Sequence, residues 1–137
     1  MPPLDHPVFR QAVVLLERDR PEDACELLGE LIIELGGHAE VYLQRGKARG
    51  ACGDLVGAAE DFAAAAEGAD EETAYEARFR RGLVLTEQLS LRAAVGDFAL
   101  AIALRPDRMG PYHHRAWARF LEGDLQGAVE DYTEVLR

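Results

Sequence analysis

The sequence predicts an all-α protein built from four copies of a two-helix unit. Residues 53–62 (GDLVGAAEDF) recur seventy residues later as residues 123–132 (GDLQGAVEDY), with seven identities in ten. Residues 89–98 form a weaker copy of the same segment. A series of small residues stays in phase along the chain, with spacings of 34, 36 and 34 residues: Ala24, Ala58, Ala94 and Ala128. A period of this length is typical of arrays of helix-turn-helix units.

The helices of each unit are predicted from apolar and small residues that recur at steps of three and four. Residues that favour helix starts mark the second helix of each unit: Pro21, Asp54, Ser90 and Asp124. The two additional residues of the second unit fall in a predicted loop at 68–73, and Thr73 with Glu76 predicts a capping box for the helix that follows. In chain order, the predicted helices span residues 5–18, 21–35, 39–52, 55–67, 74–88, 91–104, 109–122 and 125–136.

Two further series run in the same phase as the alanines. Small residues recur in the first helix of each unit, and larger, mostly aromatic residues recur in the second helix. The members are Ala12, Gly46, Gly82 and Ala116 in the first series, and Leu28, Phe62, Phe98 and Tyr132 in the second. Because small side chains let paired helices approach closely, we expect the first series to lie where the two helices of a unit cross.

This pattern resembles the tetratricopeptide repeat (TPR). The signature of that family has an aromatic residue at the fourth place, a small residue at the eighth, alanine at the twentieth, an aromatic at the twenty-fourth and proline at the thirty-second. The fourth unit matches at Tyr112, Ala116, Ala128 and Tyr132, and the third at Gly82, Ala94, Phe98, Ala101 and Pro106. The second unit matches at Tyr42, Gly46, Ala58, Phe62 and Ala65. Arg78 and Asp70 depart from the pattern, and the first unit keeps only Ala12 and Ala24.

The resemblance implies one TPR domain over residues 1–137, with units at about 5–38, 39–74, 75–108 and 109–137. Units of this family coil into a right-handed α-solenoid with a concave and a convex face. Family members usually add one more helix over the apolar surface of the last unit. Since the sequence ends at Arg137, we expect the fourth unit to lack this capping helix.

Composition and charge narrow the range of functions. The chain is 48% hydrophobic and 29% charged, as expected for a folded domain, and its 25 acidic against 15 basic residues give a formal charge of -10. This balance argues against nucleic acids and anionic membrane surfaces as partners. No apolar run approaches the ~20 residues of a membrane span and no secretory signal is present, so we expect a cytoplasmic protein without membrane insertion. Lys47 is the sole lysine, a bias that suggests a GC-rich, bacterial genome.

No motif for catalysis, a metal or a cofactor is found. His113 and His114 are adjacent and point about 100° apart on a helix, which disfavours a shared zinc ion. Ser90 is better explained as an N-cap than as a nucleophile. Cys25 and Cys52 lie in apolar helical contexts, which predicts buried structural thiols. We therefore expect a protein that is not an enzyme and has no cofactor.

Arginine and aspartate recur together in three of the four units. Arg45, Arg81 and Arg115 each precede an aspartate by sixteen residues, at Asp61, Asp97 and Asp131, while the first unit has Gln11 and Leu27 instead. The two residue types are present together or absent together. We therefore expect three ion pairs, each joining the two helices of one unit.

The resemblance implies that the first helices line a concave groove that binds a peptide or helix of another protein. The places that face this groove carry a mixture of apolar, charged and histidine side chains, as interaction surfaces often do. They are Phe9, Arg10, Leu43, Gln44, Lys47, Phe79, Arg80, Leu83, His113, His114 and Trp117, with Val13, Leu16, Thr86 and Phe120 beside them. We expect Phe79, Arg80, His114 and Trp117 to anchor the partner.

Some family members hold a chaperone's C-terminal carboxylate with a clamp of lysine, asparagine, asparagine, lysine and arginine. Mapped onto the first three units, the clamp places hold Phe9, Val13, Gln44, Glu76 and Arg80; mapped onto the last three, they hold Leu43, Lys47, Arg80, Gly110 and His114. Neither set reproduces the clamp, which disfavours a chaperone tail as the partner.

Two alternatives remain open. The last helix carries apolar residues that could pair with a second copy of the chain and form a homodimer: Val129, Tyr132, Val135 and Leu136. The chain could also be a regulatory piece of a larger enzyme or complex in which the array continues.

Overall fold

The computed structural model describes residues 3–68 and 70–137. These residues form eight α-helices and a short 3-10 turn at Pro3–Asp5, with no strand among them, which confirms the predicted all-α fold. The helices are α1 (Pro7–Glu17), α2 (Pro21–Leu35), α3 (Ala39–Ala51), α4 (Leu55–Ala66), α5 (Glu71–Glu87), α6 (Leu91–Leu104), α7 (Gly110–Glu122) and α8 (Leu125–Val135). None of the described helices combines the length and apolar character needed to cross a membrane.

Most of the predicted helix starts are confirmed. The Asp54 and Asp124 carboxylates each accept a hydrogen bond from the backbone N–H three residues on, at 2.9 Å, and so cap α4 and α8. Pro21 occupies the first turn of α2. Ser90 precedes α6 but makes no side-chain capping hydrogen bond.

The predicted start of α5 is wrong. Thr73 and Glu76 do not open this helix, because it begins at Glu71. The Asp70 carboxylate accepts hydrogen bonds from the Glu72 N–H at 3.1 Å and from the Thr73 hydroxyl at 2.8 Å. Asp70 therefore caps a helix that is almost one turn longer than expected at its start, and the predicted loop at 68–73 is correspondingly shorter.

The chain divides into two compact units, Met1–Thr73 and Ala74–Arg137, which we call the N-terminal unit and the C-terminal unit. Each has its own core. In the N-terminal unit the core includes Phe9, Ala12, Leu28, Leu31 and Val41. In the C-terminal unit it includes Leu85, Ala94, Phe98 and Ala118.

Close helix approach explains the glycines of the first helices. A Cβ atom at Gly46 would lie 2.6 Å from a ring carbon of Phe62, and one at Gly82 would lie 2.5 Å from a ring carbon of Phe98. Both distances are well below van der Waals contact, so only glycine fits without a shift of the facing ring. The expected helix crossings at Gly46 and Gly82 are thereby confirmed.

Candidate functional site

The predicted ion pairs between the helices of a unit are confirmed. Arg45 donates two hydrogen bonds to the Asp61 carboxylate, both at 2.9 Å, and these bonds raise the pKa of Arg45 above its ordinary value. Arg115 donates two to Asp131, at 2.9 and 2.7 Å. The Arg81 guanidinium lies 3.5 Å from Asp97. All three aspartates are buried.

Each buried aspartate also contacts a second arginine, which the sequence analysis missed. Arg49 lies 3.2 Å from Asp61, and Arg119 lies 2.9 Å from Asp131; both are one helical turn beyond the first arginine. The third repeat has Leu85 at that place and instead uses Arg78, 3.2 Å from Asp97. Arg78 is the residue that replaces the aromatic of the family signature. Comparing the repeats position by position would have revealed this exchange.

The third cluster is less well bonded than the other two. Among the described residues, Arg81 Nε and one Asp97 carboxylate oxygen are buried without a hydrogen bond. Burial raises the pKa of Asp97, and the nearby charges of Arg81 and Arg78 oppose this effect without cancelling it. These clusters therefore hold paired helices in register, and they differ in how completely their polar atoms are satisfied.

The first helices of the N-terminal unit form an open depression of about 360 Å³. Its lining is Val13, Leu16 and Glu17 of α1 with Gln44 and Lys47 of α3. Phe9 and Leu43, which we expected at this face, are 4% and 5% exposed and belong to the core. Arg10 is exposed on α1. The accessible surface here is thus apolar in the middle and polar at its edges.

The C-terminal unit carries an exposed aromatic pair on α7. The rings of Trp117 and Phe120 stack at 5.6 Å with an interplanar angle of 16°, although the two residues are 46% and 50% exposed. His113, one turn before Trp117, is also exposed and lies with its ring 5.9 Å from Tyr132 of α8. One face of α7 therefore presents aromatic surface to solvent.

The other expected anchors are half-buried within the same unit. The Phe79 ring lies 6.0 Å from Phe98 and 5.5 Å from His114. Burial lowers the pKa of His114, and the neighbouring His113 adds to the effect. Leu83 packs against the unit's core. Arg80 donates a 3.0 Å hydrogen bond to Glu76 one turn earlier on α5.

The four residues named for self-association differ in exposure. Val129 and Leu136 are exposed on α8, at 59% and 85%, whereas Tyr132 and Val135 are half-buried. Leu125, one turn before Val129, is also exposed. A row of apolar side chains therefore follows one side of α8.

The cysteines do not both match the expectation of buried thiols. Cys25 is half-buried, but Cys52 is exposed as the C-terminal cap of α3, so the expectation is wrong for Cys52. Partial burial of its thiol raises the pKa of Cys52, and the negative charge of Glu22 adds to the effect. Among residues 3–68 and 70–137, no group of three histidine, cysteine, aspartate or glutamate side chains is placed to hold a metal ion.

The paired helices and the recurring ion clusters define an α-helical repeat protein. Its fold is that of the tetratricopeptide repeat proteins, as two solved structures show. The crystal structure of MamA superposes with a TM-score of 0.89 at 19% identity, covering 94% of this chain and 74% of the MamA chain. The second TPR domain of human RPAP3, solved in complex with an HSP70 peptide, superposes with a TM-score of 0.75 at 20% identity, covering 82% of this chain and 92% of that domain.

Relatives in sequence carry the same family name. Tetratricopeptide repeat protein 36 of Mus musculus is 37% identical over 86 residues, which cover 58% of this chain and 45% of that protein. Its Homo sapiens counterpart is 43% identical over 51 residues, covering 37% of this chain and 27% of that protein. The chain thus spans less than half the length of these relatives. No family model matches the chain. The sequence and structural likenesses together confirm the resemblance to the TPR family.

Proposed function

We propose that the chain is a non-enzymatic scaffold that binds a peptide or helix of a partner protein along the first helices of its repeats. The observation that carries the proposal is the stacked, exposed pair Trp117 and Phe120 on α7. Exposed tryptophan is unusual on a surface without a partner, and large aromatic side chains contribute much of the energy of protein interfaces. The TPR resemblance assigns both places to the groove-facing side.

The depression of the N-terminal unit supports the same role. Val13 and Leu16 offer an apolar floor, while Glu17, Gln44 and Lys47 can orient a polar backbone or side chain above it. Its volume of about 360 Å³ suits one or two side chains of a bound segment. Because Phe9 and Leu43 are in the core, the proposed contacts in this unit are Arg10, Gln44 and Lys47 with the depression's lining.

The RPAP3 domain shows that a protein of this fold binds an HSP70 peptide. In this chain the residues at the carboxylate-clamp places are different, with Phe9, Val13 and Leu43 where the clamp needs polar groups. We therefore propose a partner segment that is held by apolar contacts to Trp117 and Phe120 rather than by a terminal carboxylate, in a cytoplasmic, bacterial setting.

The test is selection from a displayed library of random peptides, followed by affinity measurements. Trp117 is the only tryptophan of the chain, so its fluorescence reports directly on the proposed surface. We expect a bound peptide to shift the Trp117 emission to the blue. Trp117→Phe with Phe120→Ala should weaken binding by about tenfold or more, as loss of an aromatic anchor does.

A matched variant changes exposed apolar residues of second helices, Ile33→Ala with Leu100→Ala. It should bind selected peptides as the unchanged chain does. Peptides whose affinity is unaffected by both pairs of substitutions, or affected equally, would refute the proposed surface.

Self-association is a second candidate, favoured by the exposed row Leu125, Val129 and Leu136 on α8. Sedimentation velocity over a wide concentration range tests it. We expect a dimer that Val129→Glu with Leu136→Glu converts to monomer. Val135 and Tyr132 are poorer targets because they are half-buried, and Tyr132 contacts His113. A chain that stays monomeric at high concentration would exclude this candidate.

A further inference from the structure

The N-terminal unit has a second open depression, on another side of α1 from the first. It measures about 350 Å³. Gln11 and Leu15 of α1 and Leu27 of α2 line its inner part, and Glu26 and Glu30 of α2 lie at its rim. Since Gln11 and Leu15 are one turn apart on α1 and are distinct from Val13, Leu16 and Glu17, this site does not depend on the proposed groove.

The repeat pattern shows what normally fills this place. Gln11, Leu15 and Leu27 stand at the positions of Arg45, Arg49 and Asp61 in the second repeat, 34 residues later. The fourth repeat has Arg115, Arg119 and Asp131 there. In both repeats two guanidinium groups occupy the space between the paired helices and contact the buried aspartate. The first repeat has lost all three charged residues, and an open depression remains.

The rim of the depression is acidic. Glu26 and Glu30 are exposed and one helical turn apart, so both carboxylates lie on one side of α2. Within the part of the chain that the structure describes, neither has an ion-pair partner, whereas Asp23 is paired with Arg20. The sequence up to Thr73 contains sixteen acidic and six basic residues, and the remainder contains nine of each. The whole net charge of the chain is therefore on this unit.

We propose that this depression binds an arginine side chain from a basic segment of a partner protein. The aliphatic stem of the arginine packs on Leu15 and Leu27, and its guanidinium lies between Glu26 and Glu30. Arginine suits the site better than lysine because its planar group can donate to two carboxylates at once. The partner thus supplies from outside the group that the second and fourth repeats supply from their own sequence.

The experiment titrates the ¹⁵N-labelled chain with an alanine-based helical peptide that carries arginines at four-residue spacing. Amide shift changes should centre on residues 11–15 and 26–30. Glu26→Gln with Glu30→Gln should weaken binding about tenfold, the effect of losing one charge-assisted hydrogen bond. Glu60→Gln with Glu67→Gln is the matched control, because it removes two exposed charges from the same unit but away from the site. The control should retain most of the affinity.

A filled variant, Gln11→Arg with Leu15→Arg and Leu27→Asp, copies the residues of the second and fourth repeats. It should keep its helicity and lose peptide binding, since its own guanidinium groups occupy the space. If this variant does not fold, the two exposed glutamines of the first variant still decide the question.

Equal weakening in the rim variant and the control would overturn the proposal, because it would mean that the unit's general charge attracts the peptide. Shift changes elsewhere on the chain would do the same. A lysine version of the peptide that binds as tightly as the arginine version would refute the guanidinium assignment.

Discussion

Asp97 is held by fewer hydrogen bonds than its counterparts in the second and fourth repeats. Asp131 accepts three from Arg115 and Arg119, whereas the bond from Arg78 is the one found for Asp97 within the described residues. Asp131→Asn should therefore lower the free energy of unfolding by about 3 kcal/mol, as breaking a buried ion cluster does. Asp97→Asn should lower it by about 1 kcal/mol. Urea unfolding followed by circular dichroism measures both, and equal losses would contradict the difference in bonding.

The raised pKa of Asp97 adds a pH dependence to this comparison. A carboxyl whose pKa is raised by folding binds its proton more tightly in the folded chain. Its contribution to stability is present below the ordinary aspartate pKa of about 3.9 and is lost as pH rises through the raised value. The advantage of the unchanged chain over Asp97→Asn should thus grow as pH falls from neutrality towards that window. Urea unfolding of both proteins at several pH values tests this; a difference that shrinks on acidification would be the wrong sign.

The residue scale also shows where the sequence analysis stopped short. The pairs Arg45 with Asp61 and Arg115 with Asp131 were predictable because both members recur at fixed places. Arg78 was not recognised as an ion-pair residue because it stands at a place defined by the family's aromatic. Phe9 and Leu43 were expected in the groove because apolar residues satisfy a core position and a binding face equally well. Only burial separates these two roles.

At the scale of elements, the crossing of α5 and α6 depends on Gly82. An alanine there would place its Cβ against Phe98, so Gly82→Ala should destabilise the chain by about 1–3 kcal/mol through overpacking. Gly96 provides the matched control, since it is exposed in α6 and a Cβ there would meet nothing within 4 Å. Gly96→Ala should stabilise the chain by about 0.5–1 kcal/mol. Chemical denaturation of the two variants distinguishes the effects, and the same sign for both would be inconsistent with this packing.

The caps of the second helices give another matched pair. The Asp124 carboxylate accepts from the Gly127 N–H and lies 3.8 Å from Arg119 Nε, whereas Ser90 makes no side-chain capping hydrogen bond. Asp124→Ala should cost about 1 kcal/mol of stability and Ser90→Ala much less. Thermal unfolding of both variants measures the difference. A larger loss for Ser90→Ala would contradict the assigned caps.

Helix positions were largely predictable because period, apolar spacing and turn residues agree along the chain. The start of α5 was the exception. The family signature places the beginning of that unit near residue 75, and its phase drew the prediction towards Thr73. The local chemistry of Asp70, whose carboxylate binds both the Glu72 N–H and the Thr73 hydroxyl, starts the helix earlier. A local cap therefore overrides the repeat phase at this boundary.

At the scale of the whole molecule, charge distinguishes the two units more than fold does. Both are built from the same two-helix repeat, yet the N-terminal unit carries the entire formal charge of -10. Like charges oppose compaction, and the effect weakens as salt screens them. Each unit has its own core, and stability in repeat proteins is approximately a sum over repeats and their neighbours. We therefore expect the two units to respond differently to salt.

Trp117 makes this difference measurable, because the only tryptophan of the chain lies in the C-terminal unit. At about 0.01 M salt, where the Debye length is about 30 Å, urea unfolding followed by circular dichroism should begin before the change in Trp117 fluorescence. Raising the salt to about 0.1 M, where the Debye length is about 10 Å, should move the dichroism midpoint upward and bring the two transitions together. Glu26→Gln with Glu30→Gln should reproduce part of that shift at low salt, since it removes two like charges from the same unit. If the two signals coincide at low salt and move together, the charge of the N-terminal unit does not set its stability.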